Sequence, residues 1–394
     1  MSKALDFVEA ALAESEKRTD GEGRILTSSE TTNHIRGIEI PWMALRYLLH
    51  SSVIPLGVIM GTAAEKGSLK SALGFFLSQI FMNAGGLATM IETENKYNPL
   101  FAYSFMYDEF KPLYMPVKLK TLEEAQAYLS AEIKRYKKLD RKDRFPFLIT
   151  LDSIAGAPPE AAVKAIEKDG YASKRYAEAA LLWSSYFKKL SSDLLDLDVL
   201  IYFTNHLKEK MQEGRGAFQA KQYTKQGGTA QDFHAMHYIY VRRIGKIDLA
   251  NREGKLLQFS TDKCGMGPDS RKIVIPAVWK FVTDPETGET RQLSTFAMDE
   301  ATARLFAGVD GNVKIPARVN AYLKEIGVRC EANRYHCTAL GVPKKSPLDG
   351  NGMGALLNSN TEIQQGFQQA CGFNSWKDIS TGPVVPVQST PFVV

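Results

Sequence analysis

Residues 53–99 read VIPLGVIMGTAAEKGSLKSALGFFLSQIFMNAGGLATMIETENKYNP, and the order of their parts decides the fold class. VIPLGVIM (53–60) has the apolar run of a buried strand. GTAAEKGSLKS (61–71) is a loop of small residues closing in Lys-Ser. Residues 72–82 are spaced as an amphipathic helix, and LATMIETEN (87–95) is a second buried strand ending in carboxylates. Strand, small-residue loop, helix and parallel strand are the components of a phosphate-binding βαβ unit. Small residues let backbone N–H groups approach phosphate oxygens. Lys70 would meet the β- and γ-phosphates, and the Ser71 hydroxyl would ligate Mg²⁺. The loop departs from GxxxxGK[ST]: Leu69 stands at the second glycine, Ala64 stands six before Lys70, and Gly61 and Gly67 are out of register. A plain strand-to-helix turn with a solvated lysine fits the same letters.

Composition sets outer bounds. The chain has 394 residues, 44% hydrophobic and 24% charged, which suits one or two soluble domains with ample core. No apolar run has membrane-spanning length, and MSKALDFVEA has no signal-peptide profile. The net charge of +5 is compatible with a polyanionic partner. Cys264, Cys330, Cys337 and Cys371 form no CxxC pair, which reads as free thiols in a reducing cytosol. Cys330, His336 and Cys337 fit no zinc spacing.

Further strands repeat one theme. FPFLITLDSIAG (145–156) is an apolar strand ending in Asp152-Ser153, the arrangement in which a carboxylate holds Mg²⁺ through water; a helix-capping Asp reads the same way. VLIYFTNH (199–206) ends in Asn205-His206. Ligands of open parallel sheets sit at the carboxyl ends of strands, so Glu92/Glu94, Asp152 and Asn205/His206 are expected to converge on the phosphate loop. LKEKMQEGRGAFQAKQYTKQGG (207–228) then carries Lys208, Lys210, Arg215, Lys221 and Lys225 among Phe218, Tyr223, Gly227 and Gly228. Cations for a backbone and aromatics for bases suit single-stranded nucleic acid; a surface loop is the plainer alternative. Lys164, Lys168, Lys174 and Arg175 mark a second candidate DNA loop (155–175), or a solvated helix. His234 and His237 read as packing residues rather than a metal pair. HYIYVRRIGKI (237–247), LLQFSTDKC (256–264) and RKIVIPAVWKF (271–281) are antiparallel strands, with a turn at 283–291. Helices are expected at 3–17, 121–142, 176–195, 299–307, 315–326 and 361–371, a Gly/Pro/Asn-rich loop at 341–360, and a Pro-rich tail at 382–394.

This order resembles the RecA family of DNA strand-exchange ATPases, and more closely its bacteriophage UvsX-type branch, over roughly residues 35–282. SLKSALGF (68–75) is similar to the phage phosphate loop, and IETENKYNPLF (91–101) to the family's acid-x-Glu motif followed by Asn/Asp-Pro. The resemblance implies an α/β fold: a RecA-like P-loop core, mostly parallel and twisted, antiparallel at one edge. Outside the resemblance, residues 1–34 read as a helix and linker for oligomerisation, or for packing on its own domain, and 283–394 as a small C-terminal α+β region that resembles the family's C-terminal domain poorly. The resemblance implies ATP and Mg²⁺, with ATP held by Ala64, Glu65, Lys66, Gly67, Ser68, Leu69, Lys70, Ser71, Asn98, Phe101 (stacking on adenine), Asp152 and Asn205, and the metal by Ser71 and Asp152. Glu94 would polarise the attacking water and His206 would read the γ-phosphate. Lys263, of TDKCG (261–265), would reach a neighbour's ATP; Gly265 replaces the second interface cation, a place Arg271 or Lys272 could fill. Phe233, of QGGTAQDFHAMHYIYVRRIG (226–245), would serve polymerisation. The implied activity is DNA-dependent ATP hydrolysis by a helical filament on single-stranded DNA that exchanges strands with a duplex. Mediator and single-strand-binding proteins would be partners, and the setting the cytoplasm of an infected bacterium. A hexameric helicase-like motor and a nucleotide-binding filament without strand exchange are the other classes open to these residues.

Overall fold

A computed structural model describes residues 36–169, 176–209, 223–225, 230–249, 252–283, 285, 288–309, 315–332 and 334–372. The helix expected at 3–17 and the tail at 382–394 lie outside these residues. The chain opens with β1 (Gly37–Glu39), α1 (Met43–Leu49) and β2 (Val53–Pro55), followed by β3 (Val58–Ala64), α2 (Lys70–Asn83), β4 (Leu87–Glu92), α3 (Pro99–Tyr103) and β5 (Tyr114–Lys118). Next come α4 (Leu122–Lys137), β6 (Phe147–Asp152), α5 (Glu160–Asp169), α6 (Tyr176–Asp193), β7 (Val199–Glu209), β8 (Tyr223–Lys225) and α7 (Ala230–His234). The strands β9 (His237–Leu249), β10 (Arg252–Cys264), β11 (Lys272–Thr283) and β12 (Thr290–Phe296) follow. The chain then runs through α8 (Met298–Ala307), α9 (Ala317–Glu325), β13 (Arg329–Glu331), β14 (Arg334–His336), α10 (Gly350–Ser359) and α11 (Thr361–Cys371). No helix among the described residues is long and apolar enough to cross a membrane.

The central sheet has the order β12-β11-β10-β9-β3-β7-β6-β4-β5, with β8 added to β7. The run from β9 through β3, β7, β6 and β4 to β5 is parallel; β9 to β12 are antiparallel. The parallel strands are apolar on both faces because both are covered. Met60, Met90, Leu148, Leu200 and Tyr202 join the core beneath α1, α2 and the C-terminal helices. Their sequence neighbours Ile59, Ile91, Ile149, Ile201 and Phe203 join a second core under α4 and α6. Helix α4 starts where Thr121 and Glu124 exchange hydrogen bonds as a capping box.

Several local expectations change. VIPLGVIM is two strands, broken at Leu56-Gly57: β2 pairs with β1, and only β3 enters the main sheet. β3 also runs on through Ala64, because its neighbours pair with it as far as His206 and Val241. The loop expected to meet phosphate is thus 65–69, and Ala64 is a strand residue. The segment 341–360 contains α10, capped by the Asp349 side chain on the Gly352 N–H at 2.8 Å. Its glycines serve close packing, since a Cβ on Gly354 would fall 1.7 Å from the Asp299 carbonyl oxygen. The turn at 283–291 closes a hairpin that adds β12 to the main sheet, a strand the periodicity did not reveal.

Phe367 on α11 stacks on Phe306 of α8 at 4.9 Å and meets Tyr47 of α1 edge-on at 6.1 Å. Phe367→Ala should therefore cost about 3–5 kcal/mol in denaturant unfolding. A loss under about 1 kcal/mol would show that the C-terminal helices do not share the central core.

Candidate active site

Four parallel strands, in the order β3-β7-β6-β4, deliver their carboxyl ends to one rim. Glu92 of β4 is in register with Asp152 of β6, and Ala64 of β3 with His206 of β7. The loop after β3 feeds α2, whose first residue is Lys70. The first N–H groups of such a helix have no carbonyl partner within it, which makes this end an anion site. Leu69 caps α2 with φ +56 and ψ +36, a left-handed conformation that glycine adopts without Cβ strain. The leucine side chain packs against the main core. At Gly67, φ is +79 and a Cβ would meet nothing within 4 Å, so the loop is open on that side.

Lys70, Ser71, Glu94, Asp152 and His206 lie in mutual contact. Lys70 Nζ lies 3.3 Å from Glu94 Oε1 and 3.2 Å from Asp152 Oδ1. Asp152 also accepts hydrogen bonds from Ser71 Oγ and Thr204 Oγ1. Glu94 is joined by His206 Nε2, by Ser153 Oγ at 2.6 Å and by Lys96 Nζ at 2.9 Å. Burial pushes the Glu94 carboxyl upward. His206, Ser153, Lys70 and Lys96 together outweigh it and hold the group ionised, well below the usual carboxylate range. Glu92 accepts the Glu94 and Lys96 backbone N–H groups at 2.9 and 2.8 Å, which fixes the turn presenting Glu94. Its other oxygen is buried without a hydrogen-bond partner, as is the Ser68 hydroxyl.

These residues suit Mg²⁺ with a polyphosphate. Ser71 and Asp152 already form a hydroxyl–carboxylate pair, the loop is open at Gly67, and a buried Ser68 hydroxyl has a free hydrogen-bonding site. With one hydroxyl and one carboxylate, the ion would draw its remaining ligands from phosphate and water.

The other expected site residues are placed as follows. Asn205 is buried and donates to Gln231 on α7 at 2.7 Å, where Tyr238 also donates at 2.9 Å. Asn98 caps α3, accepting from the Phe101 N–H at 3.2 Å. Phe101 is half-buried, edge-on to Phe105 at 5.5 Å and to Phe75 at 5.9 Å. Glu65 is half-buried, and Lys66 is exposed. Lys263 donates to the Asp232 and Phe233 carbonyls at 2.8 and 2.9 Å, capping α7 within its own chain. Phe233 stands 76% exposed on that helix.

Lys225 is a correction. It lies within the protein rather than on a free basic surface: it pairs with Asp232 and with Asp262 at 2.9 Å, and sits over the Tyr238 ring at 4.0 Å. Arg271 is another: it is buried, donates to the Tyr47 carbonyl at 2.9 Å and stacks on the Tyr47 ring, so it cannot stand in for the cation absent at Gly265. Lys164 pairs with Glu160 at 2.7 Å. Lys208 and Tyr223 lie on the paired strands β7 and β8. Lys174, Arg175, Lys210, Arg215, Phe218, Lys221, Gly227 and Gly228 lie outside the described residues. His234 meets Ser191 at 3.2 Å, His237 is buried, and Cys337 donates to the Ile326 carbonyl at 2.9 Å, all in packing roles.

Sequence reasoning missed Ser153, Thr204, Lys96 and Gln231 as members of the network. Ser153 and Thr204 directly flank residues it did select, Asp152 and Asn205. Hydroxyls beside strand-terminal acids and amides were the available signal.

The chain is similar to RecA proteins. It is 26% identical over 251 residues to RecA of Rubrobacter xylanophilus, covering 64% of this chain and 67% of that one. It is 24% identical over 205 residues to RecA of Rhodopirellula baltica, covering 52% and 50%, and 22% identical over 241 residues to RecA of Caulobacter vibrioides, covering 61% and 62%. The matches thus span half to two thirds of these curated relatives. No family model matches the chain. Sheet order and similarity together give a RecA-like α/β core and support kinship with RecA proteins.

Because Glu94 ionises below its ordinary value of 4.5, its stabilising effect is complete above that pH and is lost as the pH falls beneath it. In denaturant unfolding between about pH 6 and pH 3, the stability gap between the parent and Glu94→Gln should narrow as acid is added. A gap independent of pH would show that Glu94 carries no charge-dependent contacts.

Proposed function

We propose that this chain is a DNA-dependent ATPase of the recombinase kind. It assembles as a helical filament on single-stranded DNA, pairs that strand with a homologous duplex and exchanges strands. The observation that carries the reading is the single network of Lys70, Ser71, Glu94, Asp152 and His206 at the carboxyl ends of adjacent parallel strands. Similarity to proteins named RecA supports it. The leucine at the left-handed loop position favours a bacteriophage UvsX-type member, working in the cytoplasm of an infected bacterium with mediator and single-strand-binding proteins.

In this reading, ATP binds loop 65–69 and the start of α2, between neighbouring copies. Lys70 shifts part of its charge from the two carboxylates to the β- and γ-phosphates. Mg²⁺, held by Ser71 and through water by Asp152, would neutralise charge on the phosphate oxygens. Glu94, kept ionised, accepts a hydrogen bond from the attacking water and orients it in line with the γ-phosphate. His206 reports that phosphate through its contact with Glu94, and Asn205 carries the change to α7. The loop between β7 and β8 then grips DNA in the ATP state, a population shift between two states. Phe233 docks on the adjacent copy, the segment 1–34 contributes to assembly, and 283–394 forms an accessory region.

Lys70→Ala should lower DNA-stimulated ATP hydrolysis by at least about a hundredfold. Turnover near the parent rate would put the phosphate site elsewhere. Phe233→Asp should leave nucleotide binding intact while shortening filaments in negative-stain images with single-stranded DNA. Unchanged filaments would remove Phe233 from the interface, and closed rings of fixed copy number in the parent would indicate a helicase-type motor.

A further inference from the structure

Lys255 on β10 donates its ammonium to the carbonyl oxygen of Gly67, at 3.0 Å and across 188 residues of chain. The fold brings them together. β9 pairs in parallel with β3 as far as Ala64↔Val241, then continues to Leu249 beyond the end of β3 and returns as β10. The distal half of that hairpin therefore overhangs the phosphate loop.

The hairpin's charges are unusual. Lys255 stands directly opposite Lys246 in register, and Arg243 stands opposite the nearby Leu257. Like charges facing each other across a ladder destabilise it. Burial, and then Arg243 and Lys246, hold the Lys255 pKa below its ordinary value. Among the described residues no carboxylate pairs with Lys255, Lys246 or Arg243; the neutral Gly67 carbonyl is the acceptor that Lys255 meets. Among the described residues this cation, set beside other cations and bonded to a carbonyl, has no counter-anion. The loop it touches is the open one with Ser68 and Lys70.

We propose that Lys255 is a positioning residue for the nucleotide's phosphates: it fixes the Gly67 peptide and, with Arg243 and Lys246, places a positive field from the same chain over loop 65–69. The inference rests on the nucleotide reading of that loop. It adds a cationic group that acts in cis, from a hairpin that no phosphate-loop motif includes.

Affinities for ATPγS and ADP, measured by calorimetry without DNA at several salt concentrations, test it. Lys255→Met should weaken both nucleotides about tenfold, and Lys255→Arg should restore most of the loss. The pair Arg243→Gln with Lys246→Gln, both exposed positions, should weaken binding less and flatten its salt dependence. Lys255→Met binding within about twofold of the parent, at unchanged salt dependence, overturns the proposal while leaving the nucleotide site standing. A parent protein that binds neither nucleotide overturns both. Intact nucleotide affinity with lost single-stranded DNA affinity would assign the hairpin to DNA instead. Should Lys255→Met fail to fold, the Arg243/Lys246 double variant decides: an unchanged salt slope overturns the proposal.

Discussion

One ammonium group holds the rim of this molecule together. Glu94 and Asp152 leave different strands and point to a common centre, where two carboxylates would repel each other. Lys70 lies within 3.3 Å of both and supplies the balancing charge. Ser71 and Thr204 also hydrogen-bond Asp152, and Ser153, His206 and Lys96 also meet Glu94. Removing one charged member of such a partly buried cluster leaves its partner's charge uncompensated, which is strongly destabilising.

That centre exists because of strand order. β7 inserts between β3 and β6, so a helix-starting lysine, an aspartate and a histidine reach the same rim from separate parts of the chain. The antiparallel half of the sheet continues from β9, and through α7 it meets the rim again: Asn205 and Tyr238 converge on Gln231, and Lys263 caps the same short helix. The exposed ring of Phe233 is thus only a few bonded contacts from His206.

Much of this was legible in the sequence, for physical reasons. Long apolar strands ending in polar groups have few alternatives, and the strand-end positions of Glu94, Asp152 and His206, with Lys70 at a helix start, already place them on one rim. What could not be read depended on partners distant in sequence. Lys225 looks like a surface cation until Asp232, Asp262 and two tyrosines surround it. Arg271 looks free until the Tyr47 carbonyl is placed beside it. The glycines of α10 look like loop residues until α8 passes within contact of Gly354. Leu69 breaks the phosphate-loop pattern, yet its backbone takes the conformation the missing glycine would have supplied.

The inward turn of Lys225 has a mechanical consequence. The segment between β7 and β8 leaves from the strand that bears Asn205 and His206, and it returns to a strand pinned by Lys225 to α7 and to the end of β10. Both of its attachment points are therefore rooted in the same rigid bracket. The clasp thus ties the strand end that carries His206, through one ammonium group, to both α7 and β10.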